Sequence, residues 1–451
     1  MASTELKRTI SSAGSQTKWG ASAWVKRCDL GLSAGIYCSS KSDTTQNNRG
    51  IFFNADDKIE CAFYNSGYTY QVVTNRIFRD TNAWYHVVVN LDTSQSTAAD
   101  RIKIWVNGVQ ETSMATSNYP SQNSTHNFLG TDITQLVGSL REGSSIHHSC
   151  IISHLHFTDG YCYPASSFGE TDSTTGEWKI KTDVTGVTYG TNGFWWLKDS
   201  IATTDHSPNS NTFTVSDGTL TKTEDCPSNV FATLNPLYKN TTNDFVLANG
   251  NTDGTCRDNT KSGTYSTLGM PSGKFYCEVK IRELQGTAAI GVTGRPQGDV
   301  HQNKNVGDTT QSAAYRSNGD SEINATTASY GNTWTTNDII GIAIDVDNSK
   351  LYFSKNGTWQ NSGDPTSGST GTGALSMPVA ANACEEGAYF FGYGDISTGG
   401  SSSPKFSFNF GNGYFATTAV SSAGTNASGI GIFEYDVPAG YTALSTKGLN
   451  E

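Results

Sequence analysis

The stretch Ser149-Cys150-Ile151-Ile152-Ser153-His154-Leu155-His156-Phe157 concentrates the side chains best suited to hold a metal. Imidazole and thiolate both suit zinc, and two histidines at i and i+2 of a strand can share one ion. Side chains alternate along a strand with period two, so a regular strand would place Cys150, His154 and His156 on one face. Cys162 and the pair His147-His148 lie nearby in sequence. The tight four-ligand spacing of a structural zinc site is missing, and packed or solvated histidines are the competing reading.

Hydrolytic chemistry finds less. Retaining glycoside hydrolysis needs two carboxylates about 5 Å apart on one surface. No Glu-x-Asp-x-x-Glu run occurs, and Asp345 and Asp347, which share a strand face, sit at a hairpin turn. No Gly-x-Ser-x-Gly elbow offers a nucleophile. No catalytic residue is therefore assigned, and no enzymatic activity is expected. Recognition without catalysis is better supplied. Tyr64, Tyr68, Tyr70, Trp195 and Trp196 could stack on sugar rings while Asn and Asp hold hydroxyls. Trp195 and Trp196 are adjacent in one predicted strand, however, so one of them should face a core. Arg316 and Trp359 are further binding candidates, because they lie in segments 295–332 and 359–376. Both segments are rich in Gly, Ser, Thr and Asn, as recognition loops on rigid scaffolds often are.

The elements that position these residues are strands. Gly341-Ile342-Ala343-Ile344-Asp345-Val346 alternates, turns at Asp347-Asn348-Ser349-Lys350, and returns as Leu351-Tyr352-Phe353 to an Asn356-Gly357 corner. Trp24-Val25-Lys26, Gly50 to Phe53, Lys58 to Phe63, Trp84 to Val89 and Arg101 to Val109 read the same way. The chain has 451 residues, 47 of them glycine, with only 16% charged, and it lacks helical spacing of Leu, Glu, Ala and Lys. The fold class is all-β, with room for two sandwiches, each with its own core. A boundary is placed at Cys226-Pro227, giving domains 1–225 and 226–451, with a connector around 168–236. The last strand of the first domain is expected within 193–198, and the tail from Gly431 is expected to pack back on the second domain.

Lys and Arg number 30 against 41 Asp and Glu, a formal charge of −11. An acidic surface without a basic cluster repels phosphate backbones, so nucleic acid is not an expected partner. No apolar run approaches the roughly 20 residues of a bilayer span. Met1-Ala2-Ser3-Thr4-Glu5-Leu6 lacks the apolar stretch of an export signal. The nine cysteines are an odd number without a CxxC pair. Free thiols packed as small apolar groups in a reducing compartment are expected.

Trp84-Tyr85-His86-Val87 and Ile104-Trp105-Val106-Asn107-Gly108 resemble the core phrases of a laminin-G-like, concanavalin A-like jelly roll. Four later phrases resemble a SPRY domain in family order: Gly273-Lys274-Phe275-Tyr276, Ala289-Ile290-Gly291-Val292, the hairpin above, and Phe406-Ser407-Phe408-Asn409-Phe410-Gly411. Phe168-Gly169-Glu170-Thr171-Asp172, Tyr189 to Phe194 and Phe231 to Leu237 are similar to phrases in virion proteins of marine bacteriophages of the cyanophage and pelagiphage type. Those proteins carry a laminin-G-like domain before a SPRY domain. The resemblance implies a non-enzymatic virion protein made in the host cytoplasm, either capsid decoration or tail-associated. Its partners would be other virion proteins, with host attachment through exposed loops and several copies in the particle. A long tail fibre fits less well, because the first sandwich begins almost at Met1. The alternative is a carbohydrate-binding adhesin for host surface polysaccharide. Calcium is the one cofactor the resemblance brings in, and Asp56-Asp57, Asp132 and the segment 199–205 would supply carboxylates.

Overall fold

The computed structural model describes residues 4–41, 50–131, 133–142, 150–197, 204–239, 245–256, 261–301, 304–396 and 404–450. The chain divides into two compact units, 1–222 and 223–451, each built from antiparallel sheets.

In the first unit an eight-stranded sheet runs in the order Met114–Asn118, Tyr68–Thr74, Ile59–Tyr64, Ile51–Phe53, Ala34–Ser40, Thr134–Val137, Glu5–Thr9, Thr214–Asp217. A six-stranded sheet runs Phe194–Trp196, Cys150–Asp159, Lys18–Arg27, Trp84–Asp92, Ile102–Val106, Val109–Gln110. The strand expected within 193–198 is present but is not the last. Thr214–Asp217 follows it and pairs with Glu5–Thr9 at a sheet edge. One core fills the space between the sheets, with Val25, Ile36, Phe53, Val72, Val87, Ile104, Phe157 and Trp196 all buried. Alternation explains the inner face only, yet every residue of Trp84–Asp92 is buried. The outer face is covered as well, because residues from 163 to 189 pack across it. Val88, Ala165 and Phe168 form one small cluster there, with Trp105, Tyr163 and Trp178 packed on it, and Val184, Tyr189 and Trp195 form another. The expected connector is thus largely a layer of the first unit.

In the second unit a sheet ordered Leu234–Lys239, Ser262–Ser266, Phe390–Asp395, Ala288–Thr293, Ser312–Arg316, Asp320–Ile323, Thr326–Ser329 faces a nine-stranded one. The latter contains Lys405–Asn409, Lys274–Glu283, Ile339–Asp345 and Lys350–Lys355 as successive neighbours. Register pairs Ile342 with Phe353 and Ile344 with Leu351, and all four side chains enter the core as their period predicts. The corner Asn356-Gly357 has φ of 50° and 80°, the left-handed pair a tight hairpin turn requires. The tail returns onto the sheet's outer face, where Phe433, Val437 and Tyr441 pack on Tyr276 and Tyr352.

Candidate functional site

The strand Cys150–Asp159 does not keep the face that regular alternation assigns. Its pairing with Lys18–Arg27 shifts between Ser153 and His156, and His154 has φ 49°. This bulge inserts one residue and reverses the faces downstream. Cys150 and Ile152 pack on the core, and so do Leu155 and Phe157, while His156 points to the outer face. The expectation that Cys150, His154 and His156 share a face is therefore corrected. Among the described residues no three His, Cys, Asp or Glu side chains gather as a metal set. His147 and His148 lie outside the described residues.

The outer face holds a layer of neutral imidazoles instead. His156 is sandwiched with Trp195 at 5.0 Å and Phe168 at 4.8 Å, and its Nδ1 meets the Tyr189 hydroxyl at 2.8 Å. His86 stacks on Trp24 at 4.8 Å. Trp178 Nε1 donates to His86 Nδ1 at 2.9 Å, and Ser22 Oγ lies 2.8 Å from His86 Nε2. An indole N–H can only donate, so Nδ1 carries no proton and the neutral ring must hold it on Nε2. The nitrogen facing Ser22 is therefore a donor and cannot take the serine proton, so this buried pair is no nucleophile–base dyad. Burial pushes His86 down to about 3 and His156 well below the usual imidazole range.

The aromatic candidates separate by burial. Trp196 is fully buried in the core and Trp195 stacks on His156, so neither presents a ring to a sugar. Tyr70 is likewise a core residue. Tyr64 and Tyr68 meet edge to face at 5.3 Å on the hairpin of strands Ile59–Tyr64 and Tyr68–Thr74, and Tyr68 is exposed. In the second unit, segment 295–332 is not one loop. It contains the short helix Pro296–His301 and three strands. Arg316 there faces Glu322 at 3.8 Å, and Lys261 pairs with Asp308 at 2.8 Å. Segment 359–376 is docked: Trp359 packs on the cluster around Tyr276, and the Tyr441 hydroxyl donates to the Pro365 carbonyl at 3.1 Å.

Two of the carboxylates considered for calcium are committed. Asp57 binds Arg27 at 2.9 Å, Arg79 at 2.7 Å and the Gly31 N–H at 2.7 Å. Asp205 accepts from the N–H groups of Trp195, Ser207 and Asn211. Asp56 is exposed, its own N–H held by Asn54, and Asp132 and Asp199 lie outside the described residues. Asp345, weighed for hydrolysis, binds Lys274 at 3.0 Å and the Asn348 amide at 2.8 Å.

What sequence reading missed is a cleft of about 510 Å³ at one end of the first unit. Three loops converge there: Ala13 and Gln16 from one, Asn65 and Thr69 from the Tyr64–Tyr68 hairpin, and Thr125, His126, Asn127, Gly130 and Thr131 from the third. Phe63, His126 and Gly130 are its buried members. His126 stands 5.3 Å from Phe63 and edge-on to Tyr70 at 4.9 Å, and its Nε2 meets Ser124 Oγ at 2.9 Å. Burial pushes its imidazole down to about 4, so it is neutral at neutral pH. A side chain on Gly130 would collide with the Asn127 amide, so glycine is what lets that amide lie across the loop.

Residues 7–142 match the family model of the concanavalin A-like lectin/glucanases superfamily, and residues 274–392 match that of the SPRY domain. The chain carries a concanavalin A-like domain followed by a SPRY domain. A solved human SPRY domain is 18% identical with a TM-score of 0.27, covering 36% of this chain and 93% of its own. The SPRY domain of human HERC1 is 18% identical with a TM-score of 0.28, over 39% and 96%. Stonustoxin is 15% identical with a TM-score of 0.28, and the match covers 46% of this chain but 33% of the toxin. No curated protein matches the chain. Modules of these two families are typically binding or scaffold units without catalysis. Among the described residues no helix is long and apolar enough to cross a membrane.

Proposed function

We propose that this chain is a non-enzymatic binding and adhesion protein on the surface of a phage particle, as capsid decoration or a tail-associated component. The observation that carries the binding role is the loop-lined cleft of the concanavalin A-like domain. The connector phrases shared in kind with marine phage virion proteins support the particle assignment. Neighbouring virion proteins and a host surface are the partners, and repeated copies let modest single contacts sum to firm attachment.

Quantitative mass spectrometry of purified particles tests this reading. A copy number matching the capsid lattice places the chain on the head, and a handful of copies places it on the tail. Absence from washed particles overturns the virion assignment.

A further inference from the structure

On the outer face of the six-stranded sheet a hairpin is fastened by an indole. Its strands, Gly169–Thr171 and Trp178–Ile180, pair with each other and, among the described residues, with neither large sheet. Most residues of 169–181 are exposed, and Trp178 is the side chain sent inward. The Trp178 ring packs with Val88, Ala165, Phe168 and Trp105 in a slot that glycine keeps open. A Cβ on Gly108 would stand 2.7 Å from that ring, and one on Gly169 2.5 Å. Trp178 Nε1 donates to His86 Nδ1 at 2.9 Å, and among the described residues this is the one hydrogen bond from 169–181 to the sheet beneath.

His86 is fully buried between the rings of Trp24, at 4.8 Å, and Trp178, at 5.9 Å, with Ser22 Oγ 2.8 Å from its Nε2. The titratable groups around it are bases: His154 and His156 on the neighbouring strand Cys150–Asp159, and Lys26 on Lys18–Arg27. On the hairpin, Lys179 pairs with Asp172 at 3.0 Å and Glu170 at 3.7 Å, and Glu177 is exposed. No carboxylate among the described residues acts on the imidazole. An imidazolium carries a proton on both nitrogens, whereas an indole can only donate. A protonated His86 would therefore aim one donor at another, and its charge would lie in apolar surroundings without an acid to pair it.

We infer that hairpin 169–181 is an acid-released latch, docked on the sheet while His86 is neutral and lifted from it when Nδ1 takes a proton. Opening bares Val88 and Trp105 and spares the sandwich core, because Val87, Val89, Ile104 and Val106 face the other way. A two-stranded hairpin is marginal by itself in water, so release also unravels it. Docked, burial holds the ring at about 3, and open it titrates near the ordinary 6.5. Docking is undiminished above 6.5 and weakens as pH falls toward 3. The docked-to-open ratio drops by up to about tenfold per pH unit in that window.

Hydrogen exchange of the full chain tests this, read by peptide between pH 7 and pH 4 and corrected for intrinsic rates. Opening of 169–181 should rise at least about thirtyfold over that range, by a larger factor than in Lys18–Arg27, and should reverse on neutralisation. His86→Asn keeps an acceptor near the Nδ1 position and cannot titrate, so its rise should shrink to about threefold or less. Trp178→Phe leaves His86 in place but makes no demand on its lone pair. It should open about fivefold more often at pH 7 and respond to acid less steeply than the parent. A parent whose hairpin opens no more than Lys18–Arg27, or a variant of either kind with the parent's acid response, would overturn the inference. The Trp178→Phe result decides by itself should His86→Asn fail to fold.

Discussion

Glu278 Oε1 accepts the backbone N–H of Tyr435 at 2.8 Å, so one acid in the middle of a SPRY strand fastens a segment 157 residues further along. Its Oε2 takes the Glu434 N–H at 2.8 Å, and Tyr276 and Asn409 add two more donors. Burial nonetheless pushes the carboxyl up to about 7. The unfolded chain releases this proton near the ordinary value of 4.5, the folded chain near 7. In between, the folded state holds the extra proton, and the group's contribution to stability is complete below 4.5 and declines as pH rises through 7. Glu278→Ala should be less stable at every pH, by about 3 kcal/mol for the donors it strands, read as a lower melting temperature. Its dependence on pH between 4.5 and 7 should flatten. A variant with the parent's slope would show that another group titrates.

The concanavalin A-like domain should respond to acid in the opposite sense. Burial holds His86 at about 3 and His126 at about 4, against 6.5 in an unfolded chain. A depressed imidazole contributes stability that is present above 6.5 and lost as pH falls toward the folded value. Burial raises Asp299 in the SPRY domain to about 6, which works the same way as Glu278. Hydrogen exchange resolved by segment, between pH 6.5 and 4.5, should therefore show protection falling in 1–222 and rising in 223–451. Parallel changes in both units would contradict these assignments.

The SPRY hairpin was legible because two simple rules met there: period-two apolar spacing, and an Asn-Gly corner whose left-handed geometry few residue types accept. The face of His156 was not legible. A bulge at His154 is set by pairing with Lys18–Arg27, and nothing in the local string announces it. Trp195 and Trp196 illustrate a second limit, since alternation sends one inward but cannot say that Val184 and Tyr189 cover the other. The connector phrases read as arbitrary, yet they answer close packing. A side chain on Gly169 would strike the Trp178 ring, and one on Gly193 the Tyr189 carbonyl. The cleft was hidden for another reason: its three loops are far apart in sequence and individually ordinary. The one available signal was a run of Thr, His and Asn without acids at 125–131.

The corner that identifies the hairpin is also a site where single changes should be costly. Asn356 Oδ1 accepts the Ile339 N–H at 2.8 Å, and its amide donates to Asp338 at 2.8 Å. Gly357 has φ 80°, and a methyl group there would press on the Tyr435 ring at 2.7 Å. Gly357→Ala should cost about 2 kcal/mol through strain and contact together. Asn356→Ala should cost about 1–2 kcal/mol for two lost hydrogen bonds. Urea unfolding of the SPRY transition reads both as lower midpoints at unchanged slope. A neutral Gly357→Ala would mean that the turn relaxes.

All nine cysteines are free thiols, and six of them (Cys28, Cys38, Cys61, Cys256, Cys277 and Cys384) are buried. Burial raises the Cys61 thiol far above its ordinary value and Cys162 to about 12. Cys162 Sγ also donates to the carbonyls of Trp19 and Leu91 at 3.3 Å. Thiolate is the reactive form, so these groups should resist alkylation in the folded chain. Cys226 lies partly exposed and meets only the Ser228 hydroxyl at 3.3 Å, so it should react first. Iodoacetamide labelling followed by peptide mapping should find Cys226 modified within the native protein and the six buried thiols only after denaturation. Rapid native labelling of Cys61 or Cys277 would show that the sheets around them open far more often than their packing implies.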